Sequence, residues 1–251
     1  MSAVAQAALL VSFPVAAGAI GSTIAVVRRP GPRLVSGIQH FAAGVVIAAL
    51  AGELLPDLRH EGNLGWAAAG FTPGVALVLT LAAYGRRLDR QQESRERQPN
   101  NGRAEEIVPI GLLAAVAIDL LIDGVLVGLG TQLGSTQALI LTIALTLEIL
   151  FLSLSLAAEL NDRGLSARRA ALTCSALGLS TAVGAITAAA LLSGVGPEVL
   201  AFVLAFGAAA LLYLAVEELL VEAHEQAETT LLAAMFFAGF LTIYVLAELG
   251  G

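Results

Sequence analysis

The sequence predicts an all-α integral membrane protein: eight transmembrane helices in a 3+2+3 arrangement that contains an inverted repeat. Three observations lead there. Of the 251 residues, 57% are hydrophobic and only 13% charged, whereas a soluble domain carries roughly 25% charge. The apolar residues fall into eight runs, each near the roughly 20 residues needed to cross the hydrocarbon layer. Two of those runs share a pattern of aromatic and acidic residues although the loop charges send them across the membrane in opposite directions.

In chain order the runs are 3–27, 34–58, 64–84, 107–130, 135–160, 170–192, 198–220 and 229–250. The first has no basic residue before it and Arg28, Arg29 and Arg33 after it. That is the reverse of a secretory signal's charge order, so a retained helix starting outside is expected. All 13 basic residues are arginine, and the seven connecting loops hold 3, 1, 6, 0, 3, 0 and 0 of them. Alternate loops therefore hold 12 and 1. The positive-inside rule assigns the arginine-rich loops to the cytoplasm and both termini to the outside of an inner (plasma) membrane. The longest loop, 85–106, lacks apolar periodicity and is rich in Arg, Gln, Glu and Asn. A flexible cytoplasmic connection within a single transmembrane domain, 1–251, is expected. The 26 glycines and 5% aromatics form a small-residue composition that lets helix backbones approach closely in lipid.

Several function classes are excluded. Net charge is −7, but the acids form no tail and several lie inside apolar runs. The arginines sit in short clusters between those runs, without the basic stripe and interleaved aromatics of a nucleic-acid binder. Cys174 is the single cysteine, so a disulfide framework and a CxxC site are both ruled out. It reads as a small packing residue. An intramembrane aspartyl protease needs two Asp facing each other from different helices, whereas Asp119 and Asp123 share one run. The chain is not expected to be an enzyme.

The shared pattern is Phe41-Ala42-Ala43-Gly44 followed by Glu53-Leu54-Leu55-Pro56-Asp57 in the second run, and Phe206-Gly207-Ala208-Ala209 followed by Glu218-Leu219-Leu220-Val221-Glu222 in the seventh. In both, Phe precedes the first Glu by twelve residues. Oppositely directed matching helices are the mark of inverted-repeat transporters, whose substrate site lies near the midplane.

An acid at membrane depth costs at least about 2.5 kcal/mol on insertion scales. Asp119 and Asp123 lie mid-way along the fourth run, and their i, i+4 spacing puts both on one helical face. Glu148 lies at similar depth in the fifth run, which the short connection from Thr131 to Gly134 folds antiparallel beside the fourth. The runs contain no arginine at these depths and the chain no lysine. These carboxylates are therefore expected to be protonated or to bind a cation, and a transporter alternates between the two. Glu148, Ser155 and Glu159 share a face of the fifth run leading towards the cytoplasm. Glu217, Glu218 and Glu222 end the seventh run on the same side. Glu53 and Asp57 form an i, i+4 pair at the outer end of the second run, able to receive a cation there. Pro56 reads as a kink or terminator, His40 as a hydrogen-bonded packing residue, and His60 and His224 as exposed loop residues.

These residues resemble the ZIP (Zrt/Irt-like) divalent metal transporter family. The resemblance rests on Asp123-Gly124, which matches the acidic-Gly pair closing the family's fourth-helix motif, on the run from Glu53 to Asp57, and on Tyr213 to Glu222. It covers essentially the whole chain. It implies eight helices, outward termini, a long loop after the third helix, and a metal site between the fourth and fifth. The chain departs from the family in carrying Asp119 where a His is usual and Leu120 where a polar ligand is usual. Of the fifth-helix motif it keeps only Glu148, and Ser180-Thr181-Ala182 replaces a sixth-helix Glu-Pro. Carried over residue by residue, the resemblance implies a divalent metal transporter with Asp119, Asp123 and Glu148 as ligands for one site, moving the ion towards the cytoplasm. Zinc is the family expectation, with Mn, Fe or Cd as alternatives; an all-carboxylate set suits hard or borderline cations such as Mn, Fe, Mg or Zn better than a His-containing site does. The alternative is a homologue that has lost metal transport and acts as a sensor or structural protein, or carries another substrate. Lipid and the ion are the expected partners, no organic cofactor is implied, and Gly124-x-x-x-Gly128 fits a homodimer contact as well as internal packing.

Overall fold

The computed structural model describes residues 1–28, 31–61, 64–96, 110–224 and 229–250, and every regular element among them is helical. Eight helices are long and apolar enough to span a membrane. They are α1 (Ala3–Val27), α2 (Pro32–Leu58), α3 (Leu64–Arg87), α4 (Ile110–Leu133), α5 (Ser135–Asp162), α6 (Ala167–Leu191), α7 (Pro197–Glu217) and α8 (Thr230–Leu249). Each coincides with one apolar run of the sequence to within a few residues. Local chemistry sets several of the ends. Ser2 accepts a hydrogen bond from the Ala5 N–H at 3.2 Å and caps α1, while Pro32 and Pro197 open α2 and α7, where a missing N–H costs nothing.

The structure refines four sequence expectations. The connection between α4 and α5 shrinks to Gly134, whose φ of +154° an L side chain rarely adopts. Helix α3 runs on to Glu96, taking in the first part of the 85–106 stretch; 97–109 lie outside the described residues. Pro56 does not end α2, which instead passes through a π-helical turn at Leu50–Leu54 and continues as α-helix to Glu61. His60 therefore belongs to a helix, and its side chain lies outside the described ones.

The closest pairings are α1 with α5, α4 with α6, α2 with α8, and α3 with α7. An inverted repeat exchanging α1 with α6, α2 with α7, α3 with α8 and α4 with α5 maps the first pair onto the second and the third onto the fourth. Atomic detail follows the same rule. In α8, a Cβ on Gly239 would collide with the Phe41 carbonyl of α2, and in α3 one on Gly74 would meet the Phe206 carbonyl of α7 at 2.8 Å. Phe41 and Phe206 are the residues that the repeat equates. A second π-helical turn, Leu214–Leu219 in α7, occupies the place in its half that Leu50–Leu54 holds in the other. The pairs assemble into two groups, α1, α4, α5 and α6 in one, α2, α3, α7 and α8 in the other, which meet mainly where α2 lies along α5 and where α3 and α7 lie along α4.

Candidate metal centre

Two helix pairings bring the midplane acids together. On α4, Gly124 and Gly128 let α6 approach until backbones touch: a Cβ on Gly124 would collide with the carbonyl of Thr181, and one on Gly128 with that of Ala185. This fixes the α4 face bearing Asp119 and Asp123. On the other side the turn at Gly134 folds α5 back against α4, so close that a Cβ on Gly130 would lie 3.0 Å from the Ala138 Cα. Glu148 is thereby carried to the same depth.

Asp119, Asp123 and Glu148 each present an oxygen, and these three oxygens all lie within 4.8 Å of one another. Oxygens bound to one ion lie at most about 4–5 Å apart, twice a metal–oxygen distance of about 2.0–2.6 Å, so the three oxygens are grouped on the scale of a single ion's ligands. Asp123 and Glu148 are 2% and 1% exposed, and Asp119, one turn nearer the Ile110 end of α4, is half-buried. Three negative charges this close and this far from water repel strongly, and binding a divalent cation or protons relieves that repulsion.

Thr181 lies on α6 where that helix meets Gly124, one residue along the chain from Asp123. Many hydroxyls in the spans bond to a carbonyl three or four residues back, as Thr142 does to Ala138 and Thr146 to Thr142. Such bonding is how lipid-embedded Ser and Thr are satisfied. Thr181 is fully buried, yet its Oγ1 has no hydrogen-bond partner among the described residues. Its N–H bonds to Gly178 at 3.3 Å, three residues back, where α6 is interrupted between Leu177 and Leu179.

The other candidate residues are dispersed. Glu53 is buried within the π-helical turn of α2, and Asp57 is half-buried. Ser155 is half-buried, and Glu159 forms an ion pair with Arg163 at 2.7 Å at the C-terminal end of α5. Glu217 is exposed, while the side chains of Glu218 and Glu222 lie outside the described ones. His40 is buried as expected, its Nδ1 2.8 Å from the Ser36 carbonyl. His224 is not in a free loop: it sits at the helical end following α7, exposed, with its ring 5.0 Å from that of His40. Beside it the Ser36 hydroxyl donates to the Ala223 carbonyl at 2.7 Å, tying α2 to the end of α7. Residues 184 apart in sequence carry no local signal of such a contact.

A family model described as ZIP Zinc transporter matches residues 85–247, well over half of the chain. No curated protein matches it.

Proposed function

The chain belongs to the ZIP zinc transporter family, whose members carry divalent metal ions, and on that premise we propose that it moves such an ion across the inner membrane towards the cytoplasm through a site formed by Asp119, Asp123 and Glu148. The observation supporting this is the convergence of three carboxylates from two helices within 4.8 Å at mid-span. Carboxylate oxygens bind Zn2+, Mn2+ and Fe2+ and favour harder cations more than a His-containing site does. Zinc stands first by family, with Mn2+, Fe2+ and Cd2+ as alternatives.

On this reading Glu53 and Asp57 gather the ion at the outer end of α2. Ser155, Glu159 and the acids at Glu217, Glu218 and Glu222 receive it at the cytoplasmic side. Each carboxylate at the centre exchanges a proton for the ion, so buried charge stays low in both states. The test is uptake into proteoliposomes: saturable entry of Zn2+, Mn2+, Fe2+ or Cd2+, reduced by Asp119→Ala. A folded protein that takes up none of these above empty vesicles would instead be a ZIP-fold homologue without transport.

A further inference from the structure

The two helix groups touch through one glycine contact unlike the others. In the close pairs within a group, glycines such as Gly21, Gly124 and Gly239 press against a backbone carbonyl of the neighbouring helix. Gly207 of α7 instead faces a side chain across the boundary: a Cβ placed there would collide with Cδ2 of Leu126 in α4, and Cγ would lie 3.3 Å away. Leu126 is fully buried, so a Cβ at position 207 would force its side chain to repack within the core. It stands three residues beyond Asp123, about 4.5 Å further along the helix axis, on the side of the cluster facing the Gly134 turn.

The buried core also joins the groups on this side of the cluster. Towards the Gly134 side a single apolar cluster unites both groups, with Val46 and Leu50 of α2 and Leu204 of α7 packed among Leu126 of α4 and Leu141 and Leu145 of α5. The outer route to Asp123 and Glu148 is thus closed by packing between the groups.

We infer that Leu126 seated in the notch at Gly207 is the outer gate of the pathway, holding the carboxylate cluster closed to the Gly134 side of the membrane. This rests on the proposed route, which it deepens by naming the closing residue. The notch works because the 207 position has no Cβ. A larger residue there displaces Leu126 and disfavours the closed packing of the groups, while truncating Leu126 removes the plug itself.

The test is thiol accessibility in the full-length protein in membranes, which needs no transported ion. Ala144 is 2% exposed and one turn outward of Glu148 on α5. Ala144→Cys, in a Cys174→Ser background, reports water reaching the space behind the gate when a membrane-impermeant maleimide is applied from the Gly134 side. With Leu126 and Gly207 unchanged, labelling should be slow. Gly207→Ala and Leu126→Ala should each speed it about tenfold or more, because lost core packing on this scale shifts such an equilibrium by at least that factor. The double substitution should label no faster than Leu126→Ala alone, since the collision at position 207 requires Leu126. Gly74→Ala, which crowds α3 against α7 within one group, should lower Tm without raising the labelling rate. The gate is overturned if both single substitutions label at the unsubstituted rate in a protein that still unfolds cooperatively, or if their effects multiply in the double variant. Faster labelling with no ion uptake would leave the gate and remove the transport reading; unchanged labelling with uptake intact would remove the gate alone.

Discussion

Gly124 of α4 rests against the carbonyl oxygen of Thr181 in α6, closer than any side chain at position 124 would allow. The contact sits one residue from Asp123, so the same close approach that packs the two helices also fixes the face on which the acids project.

Gly124→Ala should therefore weaken fold and site together. Overpacking a tight contact costs typically about 1–3 kcal/mol, and here a backbone rather than a flexible side chain must yield. Thermal unfolding should show a lower Tm, and metal-induced stabilisation should shrink with it. An unchanged Tm would mean that α6 shifts freely at this level.

Asp123→Asn should reduce metal-induced thermal stabilisation more than Glu159→Gln does. The first removes a proposed ligand that is 2% exposed, the second a carboxylate already engaged by Arg163 at the helix end. Because a ligand that binds only the native state raises apparent stability by mass action, the Tm shift with added Zn2+ reads the loss directly. Equal shifts in wild type and Asp123→Asn would remove Asp123 from the site.

Metal affinity should rise with pH. Protons and the metal ion compete for the same carboxylate oxygens, so binding releases protons and strengthens as they become scarcer, over about pH 5 to 7.5. Titration calorimetry in buffers of different ionisation enthalpy would count the protons released. A pH-independent affinity with no proton release would contradict binding at Asp119, Asp123 and Glu148.

The topology carries its own check. A cysteine introduced within 85–106, the stretch with six arginines, should react with an impermeant thiol reagent only after permeabilisation, Cys174 being buried. Labelling in intact cells would invert the inside assignment, and with it the direction given to the Glu53 and Glu217 ends of the pathway.

The eight spans and their order were fully legible in the sequence, because lipid demands an apolar run of fixed length for every crossing and each run announces itself locally. So was the pairing of Asp119 with Asp123, set by helical periodicity, and the arrival of Glu148 beside them, forced by a short turn. The inverted repeat showed in the matching of Phe41 and Glu53 with Phe206 and Glu218. What only the tertiary structure decided are contacts between spans distant in the chain: His40 against His224, Ser36 against Ala223, Gly239 against Phe41, the unpartnered hydroxyl of Thr181, and Leu126 in the notch at Gly207. The π-helical turns at Leu50–Leu54 and Leu214–Leu219 belong there too. In an Ala- and Leu-rich helix every face is apolar, so the sequence does not say which one a neighbour will meet. That choice is made by the fit of glycine notches to carbonyls and side chains on helices that meet only once the whole bundle has assembled.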